Sequence, residues 1–125
     1  MKQAFYLFLL LGLQAPSLQA QATIPVQARP LIDLLLSVKE NNMEKFRNAF
    51  SKKIIQANSP ANWNQNLREG REVLISKFGN FRVEDFSFAY QGNQEEGRIV
   101  LYYQQQAHLS LAVVLEQEGW KLNEH

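Results

Sequence analysis

Side chains on a β-strand point alternately to its two faces, so apolar residues at every second position commit one face to the interior. The stretch FRVEDFSFAY, residues 81–90, breaks that commitment halfway: Phe81 and Val83 are apolar at odd positions, then Phe86, Phe88 and Tyr90 at even ones. Moving the apolar set to the other parity requires one extra residue or a sharp bend near Glu84-Asp85. A β-bulge supplies the extra residue and curves the strand that carries it. The expectation is a long first strand over 81–90 that bends strongly and draws its sheet around whatever packs on the concave side.

What precedes it reads as helix. Pro30 opens PLIDLLLSVKENN at a first-turn position, where its missing N–H costs nothing, and Leu31, Leu34, Leu35 and Val38 recur at helical spacing. Asn41-Asn42-Met43-Glu44 reads as a stop followed by a capping box, with Asn41 as the cap and Glu44 reaching back. The second helix then carries Met43, Phe46, Phe50 and Ile54 and frays near Gln56. Ser59-Pro60 starts a third, with Trp63, Leu67, Gly70, Leu74 and Phe78 along one face and Gly79 as its left-handed stop. After it, strands are expected over 81–90, 98–105, 107–117 and 120–124, joined by QGNQEEG, by a turn within QQQA and by QEG.

The N-terminal 22 residues, MKQAFYLFLLLGLQAPSLQAQA, carry one charge at Lys2, an apolar run from Ala4 to Leu13 and a polar stretch opened by Pro16. That is the layout of a secretory signal peptide, with small residues at Ala20 and Ala22 for cleavage before Thr23 or, alternatively, after Ala20. The run is too short to span a bilayer, which takes ~20 apolar residues in a helix. The expected division is a signal peptide over 1–22, an extended lead over 23–29 and a single domain over 30–125, exported to a periplasm or the medium, with no membrane span after cleavage.

Loss of residues 1–22 removes Lys2 and no acid, leaving 12 basic against 12 acidic side chains. A chain so balanced lacks the concentrated positive field that nucleic acid requires. Its densest basic cluster, Lys45, Arg47, Lys52 and Lys53, lies on a predicted helix beside Glu44 and reads as a solvated face. There is no cysteine, so packing alone must stabilise an exported domain, and thiol chemistry and zinc-thiolate sites are excluded.

Two stretches carry a resemblance. PLIDLLLSVKENNMEKFRNAF resembles the first helix, Asn-rich break and second helix of the nuclear transport factor 2-like superfamily, and EGWKLNEH resembles its closing strand. The resemblance implies an α+β fold in which three N-terminal helices pack on a strongly curved antiparallel sheet of about four strands. It also implies a pocket between sheet and helices, frequent dimerisation through the sheet, and a division into enzymes and non-catalytic binding modules. Fold alone does not choose between those.

Enzymes of this kind resemble ketosteroid isomerase, in which a carboxylate base faces an apolar pocket and hydroxyl donors stabilise an enolate. Asp85 at the bend is the candidate base, with Tyr90, Tyr102 or Tyr103 as donors, against the plainer reading of Glu84-Asp85 as a solvent-exposed bulge. His108 falls by alternation on the face opposite Leu109, Leu111, Val113 and Leu115, away from the pocket. No histidine or acid stands near it at chelating spacing, so neither a metal nor a cofactor is expected. Trp63, Phe86, Phe88, Tyr90 and Tyr103, with Trp120, are candidates to line an apolar pocket for a small apolar ligand, or to form core. Val100, Tyr102, Ala112 and Val114 make the other sheet face more apolar than a wetted face should be, and a second copy across a two-fold axis would cover it.

The function expected from this is an exported, non-catalytic binding or interaction module with an apolar pocket. The alternatives are a small isomerase- or dehydratase-like enzyme using a pocket carboxylate, or an accessory domain in cell-envelope assembly.

Overall fold

The computed structural model describes residues 23–124; residues 1–22, which carry the expected export signal, lie outside the described residues. The fold is α+β: a helical region packed on one face of a four-stranded antiparallel sheet in the order β1-β2-β3-β4.

The lead is not extended throughout, because Val26–Ala28 form a 3₁₀ turn whose Ala28 is fully buried. Helix α1, Arg29–Glu40, follows, with Pro30 in its first turn and Leu31, Leu34, Leu35 and Val38 buried. Asn41 ends it in the left-handed conformation (φ 57°) and does not cap the next helix. That role falls to Asn42, whose Oδ1 accepts from the Lys45 N–H at 3.1 Å at the start of α2, Met43–Asn48. Two adjacent asparagines thus divide the labour, since asparagine tolerates positive φ and also caps N-termini.

Four α-helices are present among the described residues, where three were expected. The second breaks after Asn48 and restarts as α3, Lys52–Ala57, with the buried Ser51 Oγ capping it through the Ile54 N–H. The break is held from outside: Ser51 N–H donates to Leu122 O and Leu122 N–H to Ala49 O, both at 2.8 Å. Phe50 consequently bridges to Leu122 in parallel, and Phe46, Phe50 and Ile54 all still face the core. Helix α4, Pro60–Phe78, is capped by Ser59 Oγ and stopped by Gly79 at φ 68°.

The change of parity that opens the β region is real, but its cause is not a bulge. Val83–Asp85 form a 3₁₀ turn, and β1 begins only after it, over Phe86–Gly92. Because the turn absorbs the extra residues before pairing starts, β1 keeps one alternation and need not bend. The remaining strands are β2, Glu96–Tyr103, β3, Gln106–Glu116, and β4, Gly119–Leu122. The sheet is open, with β1 and β4 as its edges, and is not strongly curled, contrary to the curvature expected from a bulged first strand.

One register irregularity does occur, between β2 and β3: Leu101 pairs with Leu109 but Tyr102 with Ala107, so His108 is the unpaired extra residue. The core lies between the helices and the sheet face carrying Phe88, Ile99, Leu101, Leu109, Leu111 and Val113, all at most 1% exposed. Each such side chain contributes about 1.5–3 kcal/mol by leaving water, which is how a cysteine-free domain holds together.

Candidate functional site

The proposed base precedes β1, where Tyr103 and Tyr102 pair with the neighbouring Phe86 and Ser87, and Tyr90, another candidate donor, lies toward the strand's far end. Asp85 closes the 3₁₀ turn, where its Oδ2 accepts from the Arg82 N–H at 2.9 Å and its Oδ1 lies 3.8 Å from the Arg82 guanidinium. It is exposed at that turn. Tyr90 lies five residues on, about 16 Å away at 3.3 Å per residue, and its hydroxyl donates to Asn93 O at 2.6 Å in the β1–β2 hairpin. Burial, and secondarily the Glu96 carboxylate, raise the Tyr90 phenol above its ordinary 10.0. The structure does not bring Asp85 and Tyr90 together.

Most of the candidate pocket aromatics touch other rings. At one end Phe78 of α4 is a hub, 5.1 Å from Phe86, 4.8 Å from Tyr103 and 6.5 Å from Phe81 between ring centroids, all edge to face. Phe88 is fully buried beside the same core. In the helical region Trp63 packs against Phe46 and Phe50 at 5.8 and 5.1 Å. One edge of Trp63 also lines a groove of about 230 Å³ between α2, α3 and α4, together with Met43, Arg47 and Ile55.

His108 lies on the helix-facing side, not the outer face that simple alternation assigned it. Its ring sits 5.4 Å from Phe78 and 6.0 Å from Tyr103. The extra residue in β3 is the cause, since a bulged position leaves the strict alternation. Burial first, then the Lys77 charge, lower its pKa below the ordinary 6.5, opposed by a hydrogen bond with the Tyr103 backbone. Among the described residues no group of three potential ligands is arranged to hold a metal ion.

The outer face of the sheet carries a second, separate cluster: Ala89, Val100 and Tyr102, exposed by 0%, 3% and 6%, with half-buried Ala107 against them. Ala112 and Val114 continue the face along β3 and are half-buried. Burial raises the Tyr102 phenol. Beside this cluster Arg98 binds Ser110 Oγ and O at 2.9 and 2.8 Å and Glu124 Oε1 at 3.1 Å, while that carboxylate accepts from the Ala112 N–H at 2.8 Å. Ala89 and Ala107 belong to the cluster and escaped the sequence reading; Ala89 could have been found from its place between Ser87 and Gln91. Among the described residues no helix is long and apolar enough to cross a membrane.

No family model, curated protein or solved structure matches this chain.

Proposed function

We propose that this chain is an exported, nuclear transport factor 2-like domain acting as a non-catalytic interaction module, which pairs with a second copy of itself through the outer face of its sheet. One observation carries the reading: every described helix packs on one face, yet the other is apolar too, with Ala89, Val100 and Tyr102 nearly buried already within one chain and half-buried Ala112 and Val114 continuing the face toward solvent. A sheet face meant for water would alternate to polar residues there. The family assignment is supported by the order of elements, helices first and then an antiparallel four-stranded meander. Export is supported by the N-terminal sequence.

The non-catalytic role is supported by the employment of the candidate groups. Asp85 caps an exposed turn beside Arg82, and Phe86 and Tyr103 pack on Phe78. Light scattering on the purified protein tests the pairing. A dimer is expected, and Val114→Glu should shift it to monomer without loss of helical and strand signal, because Val114 is only half-buried. A monomer whose size and melting temperature ignore Val114→Glu would overturn the reading.

A further inference from the structure

Lys39 near the end of α1 and Arg71 in the middle of α4 come from separate helices, yet they line one groove of about 230 Å³ whose other walls are Ile75, Gly79, Asn80 and Phe81. Two positive charges across a small apolar groove repel each other unless something negative lies between them. Among the described residues the ion pairs are Lys45–Glu40, Lys52–Glu118, Arg82–Asp85 and Arg98–Glu124, and neither Lys39 nor Arg71 takes part. Lys39 is held in place, since its ammonium donates to Phe81 O and lies 5.4 Å from the centre of the Phe81 ring. One carbonyl uses one of its three N–H donors.

The apolar side of the groove is equally specific. Ile75 is 47% exposed, one of four large apolar side chains of the described chain left so open. At Gly79, which also lines the groove, a Cβ would meet nothing within 4 Å, so this part of the wall is bare backbone beside open space. We propose that this groove binds a small apolar carboxylate, its anion held between Arg71 and Lys39 and its hydrocarbon part against Ile75. Arginine suits a carboxylate because its planar fork matches two oxygens. The volume sets the size of the guest: an apolar cavity of about 150 Å³ already holds benzene, so this groove takes one ring, or a short chain, with its acid. No residue of the groove belongs to the sheet, so the site stands whether or not the sheet face pairs.

Phenylacetate and phenylacetamide, alike in shape and differing in charge, test this by titration into isotope-labelled protein with the Gly79 and Asn80 amide resonances as reporters. Phenylacetate should shift both resonances saturably, and phenylacetamide should bind about tenfold more weakly, as expected for losing a charge-assisted hydrogen bond. Arg71→Gln, at an exposed helical position that glutamine suits, should cost phenylacetate a similar factor, and Ile75→Ser should weaken both compounds alike. Equal binding of acid and amide, unchanged binding by Arg71→Gln, or resonances that do not move with phenylacetate would each overturn the proposal.

Discussion

Tyr90 of β1 and Trp120 of β4 meet edge to face with ring centroids 5.6 Å apart, although β2 and β3 lie between their strands. The contact spans the helix-facing side from edge to edge. It requires the Tyr90 ring to lean back over the paired glycines Gly92 and Gly97, where its hydroxyl would lie 2.7 and 2.6 Å from a Cβ at either position. A Cβ at Gly97 would also stand 2.4 Å from Gln91 O, which is backbone and cannot swing away. Gly97→Ala should therefore destabilise the fold by about 1–3 kcal/mol, the usual range for overpacking. Chemical denaturation measures it, and a midpoint equal to that of the parent would refute the account.

Ser51 ties the helical break to the C-terminus. Its buried Oγ caps α3 and donates to Asn123 Oδ1 at 2.6 Å. Ser51→Ala removes both, and a lost cap with a lost hydrogen bond sums to roughly 2 kcal/mol. Asn123→Ala, which leaves the cap, should cost less than Ser51→Ala in the same denaturation series. The reverse order would show that the link to Asn123, not the cap, dominates.

The β2–β3 turn places Gln104 and Gln105 at φ 52° and 69°, left-handed values that glutamine adopts at a cost. A two-residue hairpin loop with both φ positive favours Asn-Gly. The double substitution Gln104→Asn, Gln105→Gly should stabilise the domain by about 1 kcal/mol. The expected rise in melting temperature is several degrees, and a fall would mean that the glutamine side chains hold the turn in another way.

His108 makes stability depend on pH. Its lowered pKa means that the unfolded chain binds its proton more readily than the folded one, so protonation favours unfolding. The stabilising contribution is complete above the ordinary value near 6.5 and is lost as pH falls from there through the lowered folded value. Melting temperatures should decline between about pH 7 and pH 5, and His108→Phe should flatten that decline. An unaltered slope would assign it to the carboxylates.

Local chemistry was legible at both ends of α4. Ser59-Pro60 starts α4 and Gly79 ends it because caps and stops act through their own backbone. The aromatic candidates were visible as residues, but their partners were not. Phe86 and Tyr103 meet on Phe78 only because helix and sheet are brought together through space. The groove between Lys39 and Arg71 had no sequence signal, since the two residues are 32 positions apart on separate helices.

Residue order alone determined that helices come first and an antiparallel meander follows, because period and turn chemistry are properties of neighbours along the chain. Only the folded molecule decided that the second helix breaks at Ser51, that a 3₁₀ turn and not a bulge shifts the parity before β1, and that His108 faces the helices. The break and the placing of His108 depend on a partner distant in sequence or on strand register, Leu122 against Phe50 and Tyr102 against Ala107, and no local pattern encodes which strand will supply it. The turn, by contrast, is closed locally between Arg82 and Asp85, by bonds that the alternation of apolar residues does not reveal.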